Sequence, residues 1–150
     1  MARAIYFDMD GTIANLYGVE NWLDSLIAEQ TKPYRIAKSL MDMRELGKVL
    51  NHLQDMGYHI GIVSWLSKNG SEEYNTKVTK AKQEWLKRHI GAVEWDEIKI
   101  VEYGTPKSTV VQYSNGILFD DEERNRKEWA LGNGLAFDVN NILNILKEMR

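Results

Sequence analysis

Residues 4–12 read Ala4-Ile5-Tyr6-Phe7-Asp8-Met9-Asp10-Gly11-Thr12, and this stretch decides the fold. Ala4 to Phe7 is a short apolar run suited to a buried strand, and Asp8 and Asp10 follow where that strand ends. In extended backbone, residues i and i+2 project to the same side, so both carboxylates face one site. Held that close, they repel each other unless a positive group lies between them or one keeps a proton. Gly11 supplies a turn that bulkier residues resist. A nucleophilic carboxylate, an acid/base carboxylate and a bound cation suit phosphoryl transfer through an aspartyl-phosphate. The alternative is two solvated acids in a strand-to-loop turn. A bare DxD would favour it, but the full DxDGT behind a strand favours the chemical site.

Working outward, strands and helices alternate along nearly the whole chain. Thr12 to Val19 reads as a loop or small hairpin. Trp22, Leu23, Leu26 and Ile27 share a helical face, and Lys32-Pro33 interrupts that helix. Met43, Leu46, Val49, Leu50, Leu53 and Met56 mark a stronger helix stopped by Gly57. A second strand, Tyr58 to Val63, ends at Ser64, and Ser67 to Asn75 reads as a loop. The next helix turns Val78, Ala81, Trp85 and Leu86 inward and ends at Gly91. Further strands are expected at Ile98–Val101, Gly116–Phe119 and Leu135–Phe137, with helices through Trp129 and over Ile142–Met149. Short apolar strands separated by amphipathic helices predict an α/β fold: a doubly wound, three-layer parallel sheet with a small helical insertion after the first strand.

Composition narrows the class. The 150 residues suffice for one domain with one core. Hydrophobic and charged fractions of 43% and 27% are ordinary for a soluble globular protein. A net charge of -3 gives no push toward nucleic acid or anionic membrane. The absence of cysteine excludes disulfides and thiolate metal sites. The N-terminal residues lack the long apolar region of a signal peptide, and no apolar stretch approaches membrane-spanning length. A cytoplasmic location is the expectation.

In open α/β sheets the ligand site lies at the carboxyl ends of the strands. Asp8 and Asp10 end the first strand, Ser64 the second and Asp120-Asp121 the fourth. Lys107 follows the third after Gly104-Thr105-Pro106, where Thr105 can cap a helix with Pro106 at its first position. A lysine beside free helix N–H groups is a favourable anion site.

With these segments in place, the chain resembles the haloacid dehalogenase-like superfamily, in its phosphatase branch. The family's DxDGT is matched by Asp8 to Thr12, and its apolar strand ending in Ser or Thr by Ile60 to Ser64. Its lysine is best matched by Lys107, with Lys99 and Lys82 as competitors, and its acidic pair by Asp120-Asp121. The motifs occur in order over residues 4–121. The resemblance implies a Rossmann-like domain over 1–150, with a reduced helical cap at about residues 18–43.

The resemblance also implies roles. Asp8 attacks phosphorus and becomes the aspartyl-phosphate, while Asp10 protonates the leaving oxygen and later activates water. Mg²⁺ is held by Asp8, the Asp10 carbonyl and Asp120, with Asp121 either reaching it through water or orienting Lys107. Ser64 and Lys107 hold the phosphoryl oxygens, helped by backbone N–H groups of the Met9–Thr12 turn, including Gly11, and of Trp65; Thr12 positions Asp10. An aspartate at position 10 favours phosphate-ester hydrolysis over dehalogenation. The expected substrate is a phosphorylated small molecule, with nucleotides first. A phosphorylated end of DNA or RNA, or a catalytically silent phosphate-binding module, are the alternatives.

Other residues have two readings. Trp65, Tyr17 and Trp22 can stack on a base, although packing is favoured for each. Lys77, Lys80, Lys82, Lys87 and Arg88 make one helix basic, and a solvated face is favoured over polyanion binding. His52, His59 and His89 lack zinc-site spacing. Asn125 is placed equally well in the metal shell or in a helical turn.

Overall fold

A computed structural model describes residues 1–150. Five strands form one parallel sheet: β1 (Ala4–Phe7), β4 (His59–Trp65), β5 (Glu97–Val101), β6 (Ile117–Phe119) and β7 (Leu135–Phe137). Their spatial order is β5-β4-β1-β6-β7. The chain therefore winds from β1 through β4 to one edge, then returns past β1 to β6 and β7 at the other. β1 lies centrally, with Ile5 opposite Ile60 on one side and Ile117 on the other. The reversal of winding places the end of β1 at the switch point where such sheets bind ligands.

Alternation along β1 sends its residues to opposite faces. Ile5 and Phe7 join a cluster with Leu46, Leu50 and Leu53 of α3 (Met43–Asp55) and Leu146 of α6 (Ile142–Met149). Ala4 and Tyr6 pack with Leu118 and with Trp129 of α5 (Glu123–Leu131). Burial on both faces explains the unbroken apolar run from Ala4 to Phe7, in which every residue is buried. Asp42 caps α3 by accepting from the Arg44 and Glu45 N–H groups, and Gly57 (φ +95°) takes the chain out of it.

The segment between β1 and α3 is framed by a small antiparallel ladder, β2 (Ala14–Asn15) with β3 (Lys38–Ser39). Between these strands lie two short helices, α1 (Trp22–Ile27) and α2 (Lys32–Ile36). Pro33 starts α2 rather than merely interrupting α1, since the first turn of a helix needs no proline N–H.

The long helix α4 (Glu72–His89) begins within the expected Ser67–Asn75 loop, because the Ser71 hydroxyl accepts from the Tyr74 N–H and caps it. Five hydrogen bonds fasten the insertion to this cap and helix. The Ser71 N–H and hydroxyl both donate to the Glu29 carboxylate, whereas the Tyr74 hydroxyl donates to the Gln30 carbonyl. Arg88 donates to the Arg35 carbonyl and the Trp85 indole to that of Ala37. No helix is long and apolar enough to cross a membrane.

Candidate active site

The DxDGT turn is held by its own backbone. The Met9 carbonyl accepts from Thr12, Ile13 and Ala14, and Gly11 N–H donates to the Ala14 carbonyl at 2.8 Å. Gly11 sits at φ +80°, and a Cβ there would run into the Asp121 carboxylate and the Tyr17 ring. Glycine is thus required both by conformation and by the approach of two neighbouring side chains. The tight turn brings Thr12 Oγ1 within 3.2 Å of Asp8 Oδ2, to which it donates, while the hydroxyl oxygen accepts from Asp121 N–H. The Gly11 and Thr12 N–H groups are engaged inside the turn, by the Ala14 and Met9 carbonyls. The Thr12 hydroxyl bonds Asp8 and Asp121 rather than Asp10.

Asp8 and Asp10 instead each meet a lysine. Lys107 Nζ lies 2.9 Å from Asp8 Oδ1 and 2.6 Å from Asp120 Oδ2. Burial works against the Lys107 charge, yet Asp8 and Asp120 outweigh it and hold its pKa above the ordinary lysine value. Lys107 occupies a three-residue 3₁₀ turn with no side-chain cap, so the expected helix N-terminus is absent. Thr105 Oγ1 bonds back to the Glu102 carbonyl instead. Lys99 is exposed on the edge strand β5, away from the carboxylates.

Lys82 is the residue that the sequence reading misplaced. It is buried, not part of a solvated face, and its ammonium donates to Asp10 Oδ2 (2.9 Å), Ser64 Oγ (2.8 Å) and the Trp65 carbonyl (2.7 Å). The available signal was periodicity: Lys82 falls four residues after Val78 and three before Trp85, inside the apolar stripe of α4. Lys77, Lys80, Lys87 and Arg88 are exposed, as a solvated face requires. Burial pushes the Asp10 carboxyl upward, with Lys82 opposing it and Asp8 adding to it.

Asp120 and Asp121 follow the last residue of β6, so strand alternation no longer separates them. Asp8, Asp120 and Asp121 each offer an oxygen within 4.8 Å of the others. Asp120, not Asp121, orients Lys107, and its carboxylate is further fixed by the Asn125 amide (3.1 Å) and the Glu122 N–H (2.9 Å). Asn125 is buried and supports Asp120. Burial, then the charge of Asp8, pushes Asp120 up to about 6 and Asp121 up to about 8. Asp10 is engaged by Lys82 and stands outside the group of three. Across the site, four carboxyl groups face two ammonium groups, an excess of two negative charges once all four acids are ionised. Hard oxygen donors with that excess fit a divalent cation such as Mg²⁺, so Asp8, Asp120 and Asp121 could hold one.

A cavity of about 500 Å³ opens over these groups. Its floor includes Asp8, Asp10 and Lys107, and its upper wall is apolar, with Leu16, Tyr17, Trp22, Leu26 and Tyr34 from the insertion. Tyr17 and Trp22 meet edge to face at 4.9 Å. Burial, then the nearby Asp10 charge, pushes the pKa values of Tyr17 and Tyr34 upward. Tyr34 and Ser67, which also line the cavity, carried no sequence signal, because only folding brings them to it. Trp65 lines the cavity as well; its indole donates to the Thr105 carbonyl (2.8 Å), and the Arg124 guanidinium lies 4.8 Å from its ring. None of the three histidines enters the site. His52 is exposed, His59 pairs with Glu97, and His89 stacks on Trp85.

No family model and no curated protein matches the chain. Among solved structures, it is similar to the D,D-heptose 1,7-bisphosphate phosphatase of Burkholderia thailandensis, with a TM-score of 0.62 and 12% identity, over 99% of this chain and 98% of that one. The five-stranded parallel sheet with helices on both faces, its switch point at Asp8 and this full-length likeness together establish that the chain has a doubly wound, Rossmann-like α/β fold, shared with that phosphatase.

Proposed function

We propose that the chain is a Mg²⁺-dependent phosphomonoester hydrolase that works through an aspartyl-phosphate on Asp8. The observation that carries this reading is the pairing of two adjacent carboxylates with two different buried lysines, Asp8 with Lys107 and Asp10 with Lys82. Such pairing keeps one carboxylate available as nucleophile while its neighbour handles protons. The full-length fold likeness to a phosphatase supports the same reading.

In the proposed reaction, a carboxylate oxygen of Asp8 bonds to phosphorus as the ester bond to the leaving oxygen breaks. Asp10 gives that oxygen its proton, then takes one from the water that cleaves the intermediate. Lys107 and Ser64 stabilise charge on the phosphoryl oxygens, where it concentrates during transfer. Asp8, Asp120 and Asp121 would hold Mg²⁺, which when bound neutralises phosphate charge.

The apolar upper wall of the cavity suits an organic leaving group larger than water, so nucleotides or other small phosphomonoesters are the proposed substrates. The insertion that supplies this wall acts as a small cap. The structurally similar protein is named as a phosphatase of a sugar bisphosphate, which belongs to the same broad class of phosphorylated small molecules.

The test is phosphate release from nucleotides, sugar phosphates and 5′- or 3′-phosphorylated oligonucleotides, with Mg²⁺ or EDTA. Metal-dependent release by the native protein, abolished in Asp8→Asn, is expected. Preference for oligonucleotides would reassign the substrate to a nucleic-acid end. Release that persists in Asp8→Asn would defeat the proposed nucleophile, and Mg²⁺ binding without any turnover would favour a phosphate-binding module.

A further inference from the structure

Hydrogen-bond valence separates the duties of the two buried lysines. An ammonium has three donors. Lys107 places two of them, on Asp8 Oδ1 and Asp120 Oδ2, which leaves one for a phosphoryl oxygen. Lys82 places all three, on Asp10 Oδ2, Ser64 Oγ and the Trp65 carbonyl. Its side chain is 1% exposed, and the Tyr34 ring covers it with its centroid 5.2 Å from Nζ. A saturated, covered ammonium is not a phosphate ligand.

We propose that Lys82 is a positioning residue that fixes the hydrogen-bonding direction of the two groups it joins. Because Asp10 Oδ2 accepts from the ammonium, the proton that Asp10 transfers is confined to Oδ1. Because Ser64 Oγ also accepts from it, the hydroxyl hydrogen of Ser64 is turned away as a donor for a phosphoryl oxygen. The Trp65 carbonyl anchors the ammonium to the end of β4, so both directions are referred to the sheet rather than to a loop. One cation on α4 thereby sets proton delivery to the leaving group and donor polarity toward the phosphate.

This assignment rests on the phosphatase reading. In the first half-reaction the Asp8–phosphorus bond forms, the phosphorus–leaving-oxygen bond breaks, and the leaving oxygen takes the proton from Asp10 Oδ1. Asp10 is left as a carboxylate still bonded to Lys82. In the second, water attacks phosphorus and gives a proton to Oδ1. The Asp8–phosphorus bond then breaks, releasing phosphate and restoring both groups.

The experiment compares kcat/KM for an alkyl phosphate, whose leaving oxygen needs a proton, with that for p-nitrophenyl phosphate, whose leaving group departs as a stable anion. Lys82→Met is expected to lower the alkyl value by ~100-fold and the aryl value by less than about tenfold, as loss of general-acid assistance requires. In an Asp10→Asn background, Lys82→Met should no longer change the ratio of the two rates. Circular dichroism and thermal melting check folding, and Lys82→Gln is read in the same way if the methionine variant does not fold. Equal losses on both esters, or none on either, overturn the positioning role while native turnover leaves the phosphatase reading standing. Absence of native turnover with Mg²⁺ overturns both.

Discussion

Lys107 donates a 2.6 Å hydrogen bond to Asp120 Oδ2, joining the loop after β5 to the end of β6 through two fully buried side chains. The same ammonium reaches Asp8 Oδ1 on the central strand. Three segments far apart in sequence thus converge on one charge. Lys107→Met would leave Asp8 and Asp120 buried without their cation. Removing one partner of a buried pair typically costs about 3–5 kcal/mol. A loss of that size is expected in urea unfolding of the metal-free protein, together with loss of turnover. A loss below about 1 kcal/mol would show that these carboxylates do not depend on Lys107.

Mg²⁺ affinity should rise with pH. Burial and the charge of Asp8 push Asp120 to about 6 and Asp121 to about 8, and protons compete with the cation for these oxygens. The stability of the metal-free protein should move the other way. A carboxyl whose pKa is raised in the folded state binds a proton there that the unfolded chain has already released. Its contribution is therefore full below about 4 and is lost as pH rises through about 6 for Asp120 and 8 for Asp121. Melting curves at pH 5.5 and 8.5, in EDTA and in Mg²⁺, check both signs. Mg²⁺ should raise Tm more at the higher pH, and an equal shift at both values would contradict the proton competition.

Gly11→Ala separates metal affinity from stability. A methyl group at φ +80° costs about 1–2 kcal/mol in backbone conformation, a modest loss for a folded domain. It also displaces Asp121 and the Tyr17 ring, both of which approach the glycine closely. Mg²⁺ affinity, measured calorimetrically, should fall by about tenfold or more, the usual effect of disturbing groups around a metal site. Unchanged affinity would remove Asp121 from the proposed metal group.

Tyr17 and Trp22 form the aromatic corner of the cavity wall. Alanine at either position should raise KM for a nucleoside monophosphate by roughly fivefold or more, from loss of an aromatic contact worth about 1 kcal/mol. Methyl phosphate, which has nothing to place against that corner, should retain its kcat/KM. A parallel loss on methyl phosphate would mean that the pair shapes the catalytic floor instead.

What could be read from the sequence was local. Phe7-Asp8-Met9-Asp10-Gly11-Thr12 is a strand, a turn and two acids within one short segment, and Ser64 is marked by the strand it ends. The partners of these acids were harder to see because they come from elsewhere. Lys82 meets Asp10 across 72 positions, and its charge invited a solvated reading although its neighbours at helical spacing are apolar. Asp121 comes two residues after Phe119, where β6 has already ended, so no strand periodicity tells which way it points. Thr105 and Pro106 have the composition of a helix start, yet the segment closes a single 3₁₀ turn. Such misses follow from contacts made by folding, which no local pattern records.

The seams between the insertion and α4 bear on how specificity can change. Glu29, Gln30, Arg35 and Ala37 are fastened through three backbone carbonyls and one carboxylate, so most of the attachment is independent of which side chains the insertion carries. The inward-facing aromatic and aliphatic residues are consequently free to vary while the roof keeps its place. Exchanging Trp22 or Leu26 would reshape the cavity in which the proposed leaving group would sit, whereas Tyr17 and Tyr34 also touch the groups around the acids. Under the proposed function, substrate choice would then be set largely by the insertion and the chemistry by the strand ends, so that the first could be altered with less effect on the second.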